Sequence, residues 1–137
     1  SGSATYSSYD YYLRGVAGGG AIRIDASNEV TLRGTLSANG ATVATASSGG
    51  GAGGGIYLRC LTFRGSATGI LRANGGDGPA SGAGGGGGRI AVWRISYRDF
   101  YGGQMTANAG TNGTPVAQAG TVVLMNVTPP GSVIMIR

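Results

Sequence analysis

The chain has 137 residues, enough for one domain, and thirty of them are glycine against four prolines. Its ten basic residues are all arginine, opposed by five carboxylates, with no lysine or histidine and a net charge of +5. That inventory excludes Ser-His-Asp and Cys-His nucleophile sites, histidine-ligated metals, phosphate-loop lysines and Schiff-base chemistry.

Glycine this frequent, without a strict Gly-X-Y period, excludes collagen. Hydrophobic residues make up 41% of the chain and alternate in order, which argues against a disordered low-complexity chain. Cys60 is the single cysteine, so no internal disulfide forms. No run of eighteen apolar residues is present, so no membrane-spanning helix is expected. The chain begins at Ser1 rather than Met, and reads as a processed mature protein or an excised fragment.

Residues 1–14 hold Tyr6, Tyr9, Tyr11 and Tyr12 and no glycine run, and read as an N-terminal arm or cap. From residue 15 a plan recurs up to residue 125. A glycine run feeds an alternating apolar strand at Gly18–Ile24, at Gly53–Leu58 and at Gly84–Val92, with a weaker copy at Gly120–Leu124. Ile22, Ile56 and Ile90 stand 34 residues apart, and Val122 follows after 32. A fixed period of this size marks a repeat architecture.

Within the first copy, Ile22 and Ile24 alternate with Arg23 and Asp25, the period of a half-buried strand. Ser27-Asn28 marks a turn. A second strand carries Val30, Leu32, Leu36 and Ala38 on one face, with Gly34 as a bulge or close backbone approach. Asn39-Gly40 reads as a turn, because both residues tolerate positive φ. In the second copy Leu61 and Phe63 continue the apolar alternation, and Gly69–Gly75 matches Gly34–Gly40 position for position. The third copy supplies Ile90, Val92, Ile95 and Tyr97. Residues 126–137 end in Val133-Ile134-Met135-Ile136, a C-terminal apolar strand.

If each copy is one coil of a solenoid, equivalent positions stack into columns. Ile22, Ile56, Ile90 and Val122 form one inward column. Ile24, Leu58, Val92 and Leu124 form a second, and Leu36, Leu71 and Met105 a third. Asn39, Asn74 and Asn108 form a turn ladder whose side-chain amides hydrogen-bond along the stack. The glycine runs suit polyproline-II-like segments that pair side by side, since nothing protrudes from them. The expected fold is all-β, a parallel β-solenoid of about 34 residues per coil with stacked glycine segments. A β-sandwich with long glycine-rich loops is the alternative.

Candidate chemistry is sparse. The glycine runs match a loose GxGxxG, but no helix follows to hold a phosphate. Asn74-Gly75-Gly76-Asp77-Gly78 is like a calcium-binding nonapeptide, but occurs once. Asp25 and Glu29 are the closest acidic pair, and Asp25 aligns with Arg59, which favours a cross-strand ion pair over glycoside chemistry. An ice-binding surface calls for a regular Thr-x-Thr array or a glycine at every third position, and Thr31, Thr35, Thr42 and Thr45 show no register from repeat to repeat. The chain is therefore expected not to be an enzyme and to need no cofactor or metal.

Glycine runs followed by Arg89-Ile90-Ala91-Val92, together with Ala73-Asn74-Gly75-Gly76, resemble the repeats of large secreted bacterial surface proteins. The glycine segments are also similar to the polyglycine-helix regions of phage adhesin tips and of anaplastic-lymphoma-kinase-type receptor ectodomains. The likeness covers roughly residues 15–125, and the single cysteine departs from the receptors. It implies an extracellular or cell-surface structural or adhesive role and carries over no functional residue.

The expected function is a structural subunit of a self-assembling extracellular filament or surface fibre. Its partner is itself, joined head to tail through terminal strands. Tyr6, Tyr9, Tyr11, Tyr12, Val133, Ile134, Met135 and Ile136 are the candidate assembly residues. The alternative is an adhesive fragment of a larger surface protein that binds anionic polysaccharide. An ice-binding role ranks lower, and no specific nucleic-acid partner is expected.

Overall fold

A computed structural model describes residues 16–44, 48–95, 102–112 and 116–127. The described residues are all-β, with nine strands and no helix. Three short strands follow the first glycine run: β1 (Ala21–Asp25), β2 (Glu29–Leu32) and β3 (Thr35–Ser37). After the second run come β4 (Gly55–Cys60), β5 (Thr62–Gly65) and β6 (Ile70–Arg72). After the third come β7 (Arg89–Arg94) and β8 (Gln104–Thr106), and after the fourth β9 (Thr121–Asn126).

The strands form three sheets, each parallel throughout, in the orders β1-β4-β7-β9, β2-β5 and β3-β6-β8. Parallel neighbours cannot be joined by a hairpin and need a long crossover. Here the strands of the other two sheets and the glycine runs supply it. The alternative of an antiparallel sandwich is thereby overturned.

The core lies on one face of each sheet, as alternation demands of strands half-buried between solvent and interior. Ile56, Leu58, Phe63, Leu71, Ile90 and Val92 are fully buried. Each contributes about 1.5–3 kcal/mol of burial, and Phe63 is the largest. Cys60, which forms no disulfide, is buried in the same cluster.

The structure corrects several local expectations. The single strand expected over residues 30–38 is split into β2 and β3, which lie in different sheets. Gly34 sits at the corner between them, and a Cβ there would meet nothing, so neither bulge nor close approach demands it. Leu61 lies at the bend between β4 and β5 and is exposed, whereas Phe63 beyond the bend is buried. The bend resets which residues of the alternation face inward. Tyr97 lies outside the described residues.

Candidate functional site

The strand registers bring the expected columns together. Ile22, Ile56, Ile90 and Val122 are successive Cα partners, as are Ile24, Leu58, Val92 and Leu124. Leu36, Leu71 and Met105 are partners in the third sheet. Their burial depends on place in the column. The middle members are buried, Ile22, Ile24, Leu36 and Met105 are half-buried, and Val122 and Leu124 are exposed, at 44% and 43%. By register the last two share the face of Ile90 and Val92, and their exposure has a simple reason: β9 is a terminal strand, and no described residue covers its outer side.

The glycine runs form a separate layer whose backbones bond to one another. Gly76 N–H donates to the Gly51 carbonyl, Gly110 N–H to Gly85 and Gly85 N–H to Gly76, each at 2.8 Å. Gly54, Gly88 and Gly120 donate to Ala38, Ala73 and Ala107, each at 2.7 Å. Backbone groups that lack a strand partner are satisfied this way.

The packing is too close for side chains. A Cβ on Gly51 or Gly54 would strike the Ala17 or Gly20 carbonyl, and one on Gly85 or Gly88 the carbonyl of Gly51 or Gly54. Both partners advance by three residues, so these runs are parallel. A Cβ on Gly50 or Gly53 would strike Gly76 or Ala73, and one on Gly84 or Gly87 Gly110 or Ala107. There one number rises as the other falls, so those runs are antiparallel. Every such approach is under 3.0 Å, and none of these glycines has a positive φ. Glycine is used here for its missing Cβ rather than for left-handed backbone. The third position of the period is open: a Cβ on Gly55 meets nothing, and Ala52 occupies such a place.

Asn39-Gly40 forms no turn, and the chain continues into the glycine layer. Gly40 is required because a Cβ would strike the Gly51 carbonyl. The asparagine ladder exists in another form than amide to amide. Asn39 Oδ1 accepts the Asn74 backbone N–H, and Asn74 Oδ1 accepts that of Asn108, both at 2.9 Å.

A second polar ladder went unread in the sequence. Thr42 Oγ1 accepts the Asp77 N–H at 3.2 Å, and Asp77 Oδ1 accepts both the N–H and the hydroxyl of Thr111, at 2.6 and 2.7 Å. The spacing of 34 or 35 residues was the available signal, obscured because the residue type changes at each level. The backbone bond from Thr111, reinforced by its hydroxyl, holds the Asp77 carboxyl below the usual carboxylate range. The sign follows: the stabilisation is present above the ordinary carboxylate pKa and is lost as pH falls through the lowered one. The Thr111 amide is therefore expected to lose protection as pH falls through the lowered pKa of Asp77, while the Asn108 amide, held by a neutral acceptor, does not. Equal acceleration at both amides by hydrogen-exchange NMR would refute the assignment.

No family model, curated protein or solved structure matches the chain.

The remaining candidates divide. Asp25 pairs with Arg23 in its own strand at 2.6 Å, and not with Arg59, its partner in register. The two side chains share the outward face two residues apart. Glu29 pairs with Arg64 at 3.1 Å. Both carboxylates are thus engaged separately and exposed. Among the described residues no group of three or more acidic or cysteine side chains is placed to hold a metal. The candidate assembly residues Tyr6, Tyr9, Tyr11, Tyr12, Val133, Ile134, Met135 and Ile136 lie outside the described residues.

What the sequence did not single out is the far edge of the four-stranded sheet. In β9, Val122, Val123, Leu124 and Met125 are each 39–44% exposed, on both faces of the strand.

Proposed function

We propose that this chain is a structural subunit of an extracellular filament or surface fibre that assembles by strand addition. In this reading each set of strands with its glycine runs is one coil of a parallel β-solenoid of about 34 residues. The glycine segments are polyproline-II-like. The three-residue period with which they approach one another supports that geometry, because such a helix has three residues per turn.

The observation that carries the reading is the apolar edge of β9. A terminal parallel strand with exposed valine, leucine and methionine is a template for another chain. A strand added by the next copy covers that edge, and a head-to-tail contact of this kind does not close, so it propagates. Val133-Ile134-Met135-Ile136, apolar and strand-forming in sequence, is the donor we assign.

The glycine layer explains why a donated strand is favoured over stacking of whole copies. Ala17 stands where Gly51 and Gly85 stand in their runs, and Ala119 where Gly53 and Gly87 do. Those glycines are the ones that leave no room for a Cβ. An alanine methyl at each end of the stack therefore keeps a further glycine run away, while among the described residues nothing covers the β9 edge.

Electron microscopy of the purified chain tests the proposal. Filaments are expected for the full chain, and are expected to vanish on deletion of residues 132–137 and in Leu124→Lys. Because Leu124 is 43% exposed at the end of its column, that substitution should cost about 1–2 kcal/mol and leave the chain folded. A monodisperse monomer at high concentration would overturn the proposal.

A further inference from the structure

The outward face of the four-stranded sheet is unlike the rest of the surface. Alternation places Arg23 and Asp25 of β1, Tyr57 and Arg59 of β4, and Arg89, Ala91 and Trp93 of β7 on it. Tyr57 is Arg23's partner in register, and Trp93 is Arg59's. The Arg23 guanidinium lies 5.1 Å from the Tyr57 ring centre, and the Tyr57 and Trp93 rings stand 6.4 Å apart, tilted by 47°. Gly55 and Ala91, the neighbours in register of Arg89 and Tyr57, are small; Arg23 covers one side of the Tyr57 ring, and Trp93 is exposed.

Three arginines thus share this face with one carboxylate, and Arg23 neutralises that carboxylate. Arg59 and Arg89 form no ion pair among the described residues. An open depression of about 340 Å³, lined by Asp25, Ser27, Arg59 and Ile95 among others, adjoins the Arg59 end.

We propose that this face binds an acidic polysaccharide, with uronate carboxylates on Arg59 and Arg89 and sugar rings against Trp93 and Tyr57. The chemistry of the groups selects that ligand. A guanidinium fork matches a carboxylate in a bidentate pair. Exposed Trp93 and half-buried Tyr57 present rigid apolar surface to the C–H side of a pyranose, and Trp, Tyr and Arg together are the usual centres of binding energy. The Asp25 carboxylate and Ser27 accept hydrogen bonds from sugar hydroxyls. A polyphosphate backbone offers no such donors. The site stands independently of filament assembly.

The chain contains one tryptophan, so Trp93 emission reports this face alone. Titration with polygalacturonate is expected to give a saturable emission change that weakens as salt is raised. Dextran should give none. Arg59→Ala and Arg89→Ala, both exposed, should each weaken binding about tenfold at unchanged melting temperature. Trp93→Ala, followed by calorimetry, should abolish binding. The proposal is overturned by an unchanged Trp93 emission with polygalacturonate, by wild-type affinity in both arginine variants, or by equal affinity for single-stranded DNA. Repeating the titration with Leu124→Lys separates this result from assembly.

Discussion

Ile56→Asp is expected to unfold the chain. Ile56 is 2% exposed and lies between Ile22 and Ile90 in the register of the four-stranded sheet. The substitution removes an apolar side chain worth about 1.5–3 kcal/mol of burial. It also places a carboxylate in the core cluster with Leu58, Phe63, Leu71 and Val92, where a charge has no counterion. Together these exceed about 5 kcal/mol, comparable to the whole stability of many domains. Arg23→Ala is the control. It removes an ion pair to Asp25 and a ring contact to Tyr57, but Arg23 is exposed, and the melting temperature should hardly change. Thermal melts that rank the two variants the other way would reverse the inside and outside of the sheet.

Gly85→Ala and Gly86→Ala should differ sharply, although they are neighbours. A Cβ at Gly85 would overlap the Gly51 carbonyl carbon and oxygen, both backbone atoms held in hydrogen bonds. Relief requires prising two runs apart and costs the Gly76 to Gly51 and Gly110 to Gly85 bonds. A loss of about 3 kcal/mol or more is expected. At Gly86 the nearest atom to a new Cβ is the Gln118 carbonyl oxygen at 3.6 Å, an ordinary contact. There the substitution should be neutral or stabilise by up to about 1 kcal/mol, because alanine restricts the unfolded chain. Denaturant melts of the two variants read this directly. Equal destabilisation would mean that the layer depends on glycine flexibility and not on close approach.

Much of the β architecture is legible in the residues themselves. Period-two alternation at Ile22-Arg23-Ile24, Ile56-Tyr57-Leu58 and Ile90-Ala91-Val92 marks strands and names their inward faces. The constant separation between them calls for parallel neighbours, since an antiparallel hairpin would not keep it. Both signals are local or nearly so, and depend only on which atoms alternate sides of an extended backbone.

Tertiary structure alone decided the rest. Whether Leu61 or Phe63 is buried turns on a bend that resets the alternation. Whether Val122 is core turns on its being in the last strand, although its residue type matches that of the buried column. Gly40 and Gly85 look interchangeable with Gly34 and Gly86 in the sequence, yet only the first two lie too close to another backbone for a Cβ. The Asp77–Thr111 bond and the Tyr57–Trp93 face likewise join residues 34 to 36 apart whose types do not repeat. The reason is common to all of these. A side chain's requirement for space or for a partner is set by what lies beside it, and the neighbours that decide it here are brought up by the parallel pairing of strands and the close approach of glycine runs, not by adjacency in sequence.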